Sequence, residues 1–332
     1  MKVFYEKDAS LKNIIDKKIS IIGYGIQGRA QALNLRDSGC NITIGNRQDS
    51  YNQQAYDDGF DVFNIKDVVS HADIIMLLIP DQAQEEIFNL YIKDKLKNQM
   101  LVFAHGYSIN YKSIIPADNI DVGLLAPRMP GDPIRDYFLD GGGVPAFVDI
   151  YQNASGKAWD YILGLAKGIG ATKAGAMHIS FKEETELDLY IEQFLLPLII
   201  GAIRMSFDEL VEKGFTPEAV LMELYASGEI GELVLKAAQK GIYKVWEENA
   251  SPTCQFGIYN NLERVLEPKV TKTIIENTIL NLRNNNFVKD LSKEASSNYS
   301  RLAKYNKSNN ESRLVKTQNN LDQIIKYRKE NV

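Results

Sequence analysis

Short apolar runs alternate with stretches of helical character over the first half of the chain. The runs cover residues 18–23, 41–45, 74–79, 100–104, 121–126 and 144–149, each bounded by Gly, Pro, Asp or Asn. Continuous apolar runs of this length read as strands buried on both faces. Their alternation with helical stretches predicts βαβ units, and hence an α/β Rossmann domain with a doubly wound parallel sheet. Past Ser180 the period changes. Amphipathic stretches at residues 181–213, 217–240 and 267–285, with no strand between them, predict an all-α second domain. The expected division is residues 1–180 and 181–332.

Composition narrows the class. A chain of 332 residues has room for two domains with a core in each. With 45% hydrophobic and 24% charged residues it is not a disordered chain, and a net charge of −5 argues against a nucleic-acid partner. The longest apolar run, residues 194–203, is broken by Pro197 and is too short to cross a bilayer, so no membrane partner is expected. The first residues lack the apolar stretch of a signal peptide. Cys40 and Cys254 are too few for a disulfide framework or a thiolate metal site, and a cytoplasmic location follows as the expectation. Residues 288–332 carry ten Lys/Arg against five Asp/Glu. The charges are interspersed and lack an aromatic platform, so the segment reads as a solvated surface helix and tail.

The first chemical signal is Gly23-Tyr24-Gly25-Ile26-Gln27-Gly28, directly after an apolar run and before a helical stretch. That is the dinucleotide fingerprint in its required context. Gly23 allows the tight turn, Gly25 the approach of a pyrophosphate, and Gly28 close helix–strand packing. At the end of the next run, where an NAD site usually carries an acid, stand Asn46 and Arg47, with Ser50 behind them. Arg47 paired with a 2′-phosphate, and Ser50 as a hydroxyl donor, favour NADP(H) over NAD(H). Asp49 opposes this, since a carboxylate repels a phosphate.

His105 follows the run at 100–104, at the carboxyl end of a strand, where α/β sheets place their sites. His71 reads as a helix-end residue and His178 as a linker residue. The acids Glu184, Asp188 and Glu192 recur every fourth residue and share one helix face. Like charges at that spacing repel unless a cation lies among them, and carboxylate oxygens suit Mg²⁺. An exposed acidic face is the alternative.

Taken together, the glycine loop with Gln27, Phe103-Ala104-His105-Gly106, Ala126-Pro127-Arg128-Met129-Pro130-Gly131, Gly143-Val144-Pro145-Ala146, Ala166-Lys167-Gly168-Ile169-Gly170 and the acidic helix resemble the short form of ketol-acid reductoisomerase. The motifs occur in the family's order along the whole chain. The resemblance implies a knotted helical domain that dimerises or assembles further, with the active site shared between subunits. It also implies Mg²⁺-dependent alkyl migration in an acetohydroxy acid, a small keto/hydroxy-acid substrate, followed by NADPH reduction to a 2,3-dihydroxy acid in branched-chain amino acid biosynthesis. By position, Asp188 matches a carboxylate bridging two Mg²⁺ ions, Glu192 a ligand of one, and Glu223 a ligand from the second subunit. Ser251 matches a substrate-binding serine and His105 the catalytic-site histidine. The chain departs from the family at Arg128, where a lysine is usual, at Ser227, where a second glutamate is usual, and at Asp132, which replaces a histidine. On a regular helix Glu229 and Glu232 lie off the face of Glu223 and do not replace it. These departures leave two further readings open: a paralogue that reduces a related 2-keto acid with little isomerase activity, and a dinucleotide-binding protein without turnover.

Overall fold

The computed structural model describes residues 1–265 and 268–324. The chain forms two compact units, Met1–Asp188 and Leu189–Val332. The first holds a nine-stranded sheet made of β1 (Val3–Phe4), β2 (Lys18–Ile22), β3 (Asn41–Gly45), β4 (Asp61–Phe63), β5 (Ile74–Leu77), β6 (Met100–Phe103), β7 (Asp121–Pro127), β8 (Ala146–Gln152) and β9 (Ala176–His178). Their order is β1-β9-β8-β7-β6-β5-β2-β3-β4. From β2 the chain runs outward through β3 to β4, then returns to the other side of β2 and continues through β5, β6 and β7, all parallel. The direction reverses between β2 and β5, which is where ligands bind in such sheets.

Successive residues of each strand enter opposite cores. Ile19, Ile21, Ile44, Ile74, Met76 and Val102 pack on one face, while Ile22, Ile75, Leu77, Leu101, Phe103 and Leu124 pack on the other. Both faces exclude water, which is why the strands read as unbroken apolar runs. All six predicted runs form strands. The last does not keep the parallel direction, because β8 pairs antiparallel with β7.

The main helices of this unit are α1 (Ile26–Asp37), α2 (Ser50–Asp57), α3 (Asp81–Ile87), α4 (Gly131–Leu139), α5 (Ala158–Gly168) and α6 (Phe181–Tyr190). The connection through α4 packs Ile134 and Val144 with Ala30 of α1 instead of crossing back along the sheet. Strand β8 therefore enters from the end at which β7 leaves. His178 ends β9 and lies edge-on to Trp159, so it belongs to the sheet and not to a linker.

The second unit is helical, with no strand among its described residues. Its helices are α7 (Leu196–Glu212), α8 (Pro217–Leu221), α9 (Glu229–Lys240), α10 (Ile242–Asn249), α11 (Pro252–Val265), α12 (Pro268–Arg283), α13 (Asn286–Ser296), α14 (Ser300–Asn310) and α15 (Arg313–Ile324). A small core joins Phe207 and Val211 of α7, Val220 and Leu221 of α8, and Leu321 of α15. Much apolar surface stays exposed, including Leu198, Ile199 and Ile200 on α7 and Ile230, Val234 and Leu235 on α9.

One buried side chain ties the first unit together. Asn34 of α1 is fully buried, donates through Nδ2 to the carbonyls of Ile134 and Ile169 at 3.2 Å each, and accepts from Arg135 at 2.9 Å. Removing the amide deletes three hydrogen bonds at a buried site, each worth about 0.5–1.5 kcal/mol. Asn34→Ala is expected to lose about 2–4 kcal/mol of stability, read as a thermal midpoint several degrees lower. An unchanged midpoint contradicts the assignment.

Candidate active site

Strand β2 ends at Ile22, and the glycine loop turns directly into α1. Gly23 holds φ +98°, and a Cβ there would lie 2.8 Å from the Leu78 carbonyl. At Gly28 a Cβ would collide with the Gly23 carbonyl. Around Gly25, by contrast, no atom lies within 4 Å of where a Cβ would stand. The backbone is thus open at the start of α1, where unpaired N–H groups and the helix dipole favour an anion. These residues fit a dinucleotide pyrophosphate. Ile26 is largely exposed beside this opening. The Tyr24 side chain turns into the core, its hydroxyl donating to Asp58 at 2.8 Å, so it faces the protein and not a ligand. Gln27 donates to the Met129 carbonyl at 2.9 Å and fastens the loop to the turn after β7.

After β3, Asn46 is buried, and Arg47 is highly exposed, with its Nε on Asp49 at 2.7 Å. Asp49 caps α2, accepting from the N–H groups of Tyr51 and Asn52. Burial pulls its carboxyl upward, but Arg47 and the cap hydrogen bonds outweigh this and hold it below the usual carboxylate range. The acid that opposed an NADP reading therefore has a capping task of its own. Ser50 is the exposed first residue of α2.

The chemistry gathers at the carboxyl ends of β5, β6 and β7. Asp81 opens α3 after β5, His105 follows β6, and Arg128 follows β7. His105 Nδ1 lies 2.8 Å from Asp81 Oδ2, and its Nε2 lies 3.7 Å from Asp188 Oδ2. That Nε2 is buried with no hydrogen-bond partner. Helix α6 docks against the turn after β6. The Gly106 N–H donates to Glu184 Oε2 at 2.7 Å, and a Cβ on Gly106 would lie 2.6 Å from the Phe181 carbonyl. Arg128 then spans two acids of α6, with Nη1 3.1 Å from Glu184 Oε1 and Nη2 on Asp188 Oδ1. Its guanidinium lies 4.9 Å from the centre of the Phe147 ring.

One member of this cluster, Glu184, has another role than the spacing of the acids suggests, and one, Asp81, the sequence analysis does not single out. Glu184 is only 1% exposed and works as a structural anchor for Gly106 and Arg128. Burial pushes its carboxyl up, opposed by the charge of His105 and the Gly106 N–H. Asp81 stands just past the run at 74–79 (the same strand-end rule that selects His105 selects it).

Other expected residues lie in the second unit. Glu192 is exposed within a π-helical turn, Ile191–Leu195, and Glu223 is exposed within another, Met222–Ala226. Such turns recur at functional sites because they re-aim side chains. The second turn, with Gly228 at φ +79°, also removes the premise that Glu223, Glu229 and Glu232 share one regular helix. Ser251 accepts from the Cys254 N–H at 3.3 Å and caps α11. Among the described residues no three His, Cys, Asp or Glu side chains are grouped to hold a metal ion. At Asp188 the donor chemistry still suits a hard cation: its carboxylate is 28% exposed, with one oxygen on Arg128 and the other facing His105.

Burial lowers the affinity of His105 for its proton, yet Asp81, with help from Glu184 and Asp188, outweighs it and lifts the imidazole to about 9. The folded value lies above the ordinary value of about 6.5. This histidine therefore contributes stability that is complete below about pH 6.5 and is lost as pH rises through about 9. In the metal-free chain, NMR of the imidazole is expected to give a midpoint near 9, lowered by about one unit or more in Asp81→Asn. A native midpoint near the ordinary value contradicts the assignment.

Comparison with known proteins agrees with this geometry. A family model described as acetohydroxy acid isomeroreductase, NADPH-binding domain, matches residues 13–175, and one described as ketol-acid reductoisomerase, C-terminal domain, matches residues 181–327. The ketol-acid reductoisomerase (NADP(+)) of Pyrobaculum neutrophilum is 41% identical over 294 residues, 87% of this chain and 88% of that protein. That of Petrotoga mobilis is 39% identical over 293 residues, with the same coverage. The solved structure of an NADH-preferring ketol-acid reductoisomerase from an uncultured archaeon superposes with a TM-score of 0.93 at 30% identity, covering 98% of this chain and all of that one. On the strength of both family models and of relatives matched along most of its length, the chain belongs to the ketol-acid reductoisomerase family.

Proposed function

We propose that this chain catalyses Mg²⁺-dependent alkyl migration in an acetohydroxy acid and NADPH reduction of the product to a 2,3-dihydroxy acid, as a cytoplasmic step of branched-chain amino acid biosynthesis. The observation that carries this reading is positional. Four neighbouring parallel strands deliver the glycine loop, Asp81, His105 and Arg128 to one edge of the sheet, where α6 adds Glu184 and Asp188. A nicotinamide cofactor supplies the hydride. Asp188 and Glu192, with Glu223 of a second copy, are the residues that would hold divalent ions, and such ions would supply Lewis acidity at the substrate oxygens.

The chain's own part follows from the geometry. The open backbone at Gly25 receives the pyrophosphate, and Gln27 keeps the loop registered on the turn that carries Arg128. Asp81 holds Nδ1 of His105, leaving Nε2 turned toward a substrate oxygen beside Asp188. Ser251 is the proposed contact for the substrate carboxylate. The exposed apolar side chains of α7 and α9 support a homodimer or larger assembly. Among the described residues no helix is long and apolar enough to cross a membrane.

NADP(H) is favoured over NAD(H) on the position of Arg47, with its capping partner Asp49 already engaged. A charge-assisted contact to a 2′-phosphate is worth about 1.5–3 kcal/mol. Arg47→Ala is therefore expected to raise the KM for NADPH roughly tenfold or more while leaving that for NADH nearly unchanged. Equal effects on both cofactors overturn the assignment.

The activity itself is tested by following NADPH oxidation with 2-acetolactate and with 3-hydroxy-3-methyl-2-oxobutanoate, each with and without Mg²⁺. Turnover of both with Mg²⁺ is the expected result. Turnover of the second alone removes the migration step, and turnover of neither overturns the proposal.

A further inference from the structure

Two carboxylates one helical turn apart at Glu184 and Asp188 demand a positive partner. The structure already provides one. Arg128 grips both acids through separate nitrogens and lies against the Phe147 face, and its backbone N–H is fixed on the Pro145 carbonyl at 2.9 Å. Glu184 is itself pinned by the Gly106 N–H, so the guanidinium is anchored on its buried side and reaches outward to Asp188. The planar fork of arginine gives each acid its own nitrogen, whereas a lysine presents one compact ammonium on a shorter stem. One Asp188 oxygen is thereby occupied, and the other faces His105.

The geometry points to Arg128 as a resident cation that competes with the divalent ion for Asp188 and so sets the metal affinity of this chain. The inference rests on the proposed reading of Asp188 as a metal ligand. An ion that takes both oxygens of the Asp188 carboxylate displaces Nη2 from Oδ1, and one that takes Oδ2 alone meets the charge of the guanidinium beside it, while the grip on Glu184 holds that guanidinium close by. Arg128 offsets part of the negative charge of the cluster without metal, and binding the ion exchanges one cation for another instead of relieving bare repulsion. In Arg128→Lys the bridge is lost, and Asp188 is left open to the ion.

The test measures Mn²⁺ and Mg²⁺ binding to the full chain by isothermal titration calorimetry, with Mn²⁺ electron paramagnetic resonance as a second readout. Wild type, Arg128→Lys, Arg128→Gln, and Arg128→Lys combined with Asp188→Asn are compared. The expected result is at least roughly tenfold tighter binding in Arg128→Lys, abolished when Asp188→Asn is added. Arg128→Gln is expected to have a lower thermal midpoint without metal and a larger Mg²⁺-induced rise than wild type. If Arg128→Gln fails to fold, Arg128→Lys alone decides. Equal or weaker binding in Arg128→Lys overturns the inference and leaves the metal reading standing, as does a gain that survives Asp188→Asn. Absence of binding in every protein overturns both.

Discussion

Acids spaced four residues apart on one helix need a cation between them, and in this protein a guanidinium meets that need. The Arg128 bridge connects the end of β7 to α6, and Glu184 connects α6 to the turn that carries His105. Removing the positive charge leaves a buried carboxylate facing another, a far larger penalty than the loss of a surface ion pair. The position of the acidic helix and the availability of Asp188 both depend on this one balance of charge.

The sheet explains why these groups can meet at all. Parallel strands release their chains at a common edge, so residues far apart in sequence become neighbours. Asp81, His105 and Arg128 each follow a strand directly, and the glycine loop follows β2 at the point where the strand order reverses. The proposed binding and chemistry therefore share one rim of a sheet buried on both faces. The second unit is built differently, with a small core and exposed apolar side chains on α7 and α9.

The sequence displays most of this plan, and the physical reason is plain. Strands covered on both faces announce themselves as apolar runs, and the loop after β2 must be glycine because backbone approaches backbone there. Strands β1, β4 and β9 escape notice because two or three residues are too few to show a period. The antiparallel entry of β8 depends on where α4 packs, which no local pattern records. Spacing shows the acids of α6 to be on one face but not what neutralises them. Arg128 is far away in sequence, and a divalent ion and an arginine meet the same electrostatic demand. The capping role of Asp49 is likewise invisible until the end of β3 and the start of α2 are seen together. The π-helical turns at Glu192 and Glu223 break the regular period on which face arguments rely.

The proposed metal, the His105 imidazole and the Arg128 guanidinium all converge on the Asp188 carboxylate. Anomalous diffraction from crystals of the full chain grown with Mn²⁺ and NADPH examines that point directly. A manganese peak is expected on the Asp188 carboxylate, with Arg128 withdrawn from it but still paired with Glu184. A manganese ion bound away from Asp188, or bound there with both arginine contacts intact, would contradict this expectation.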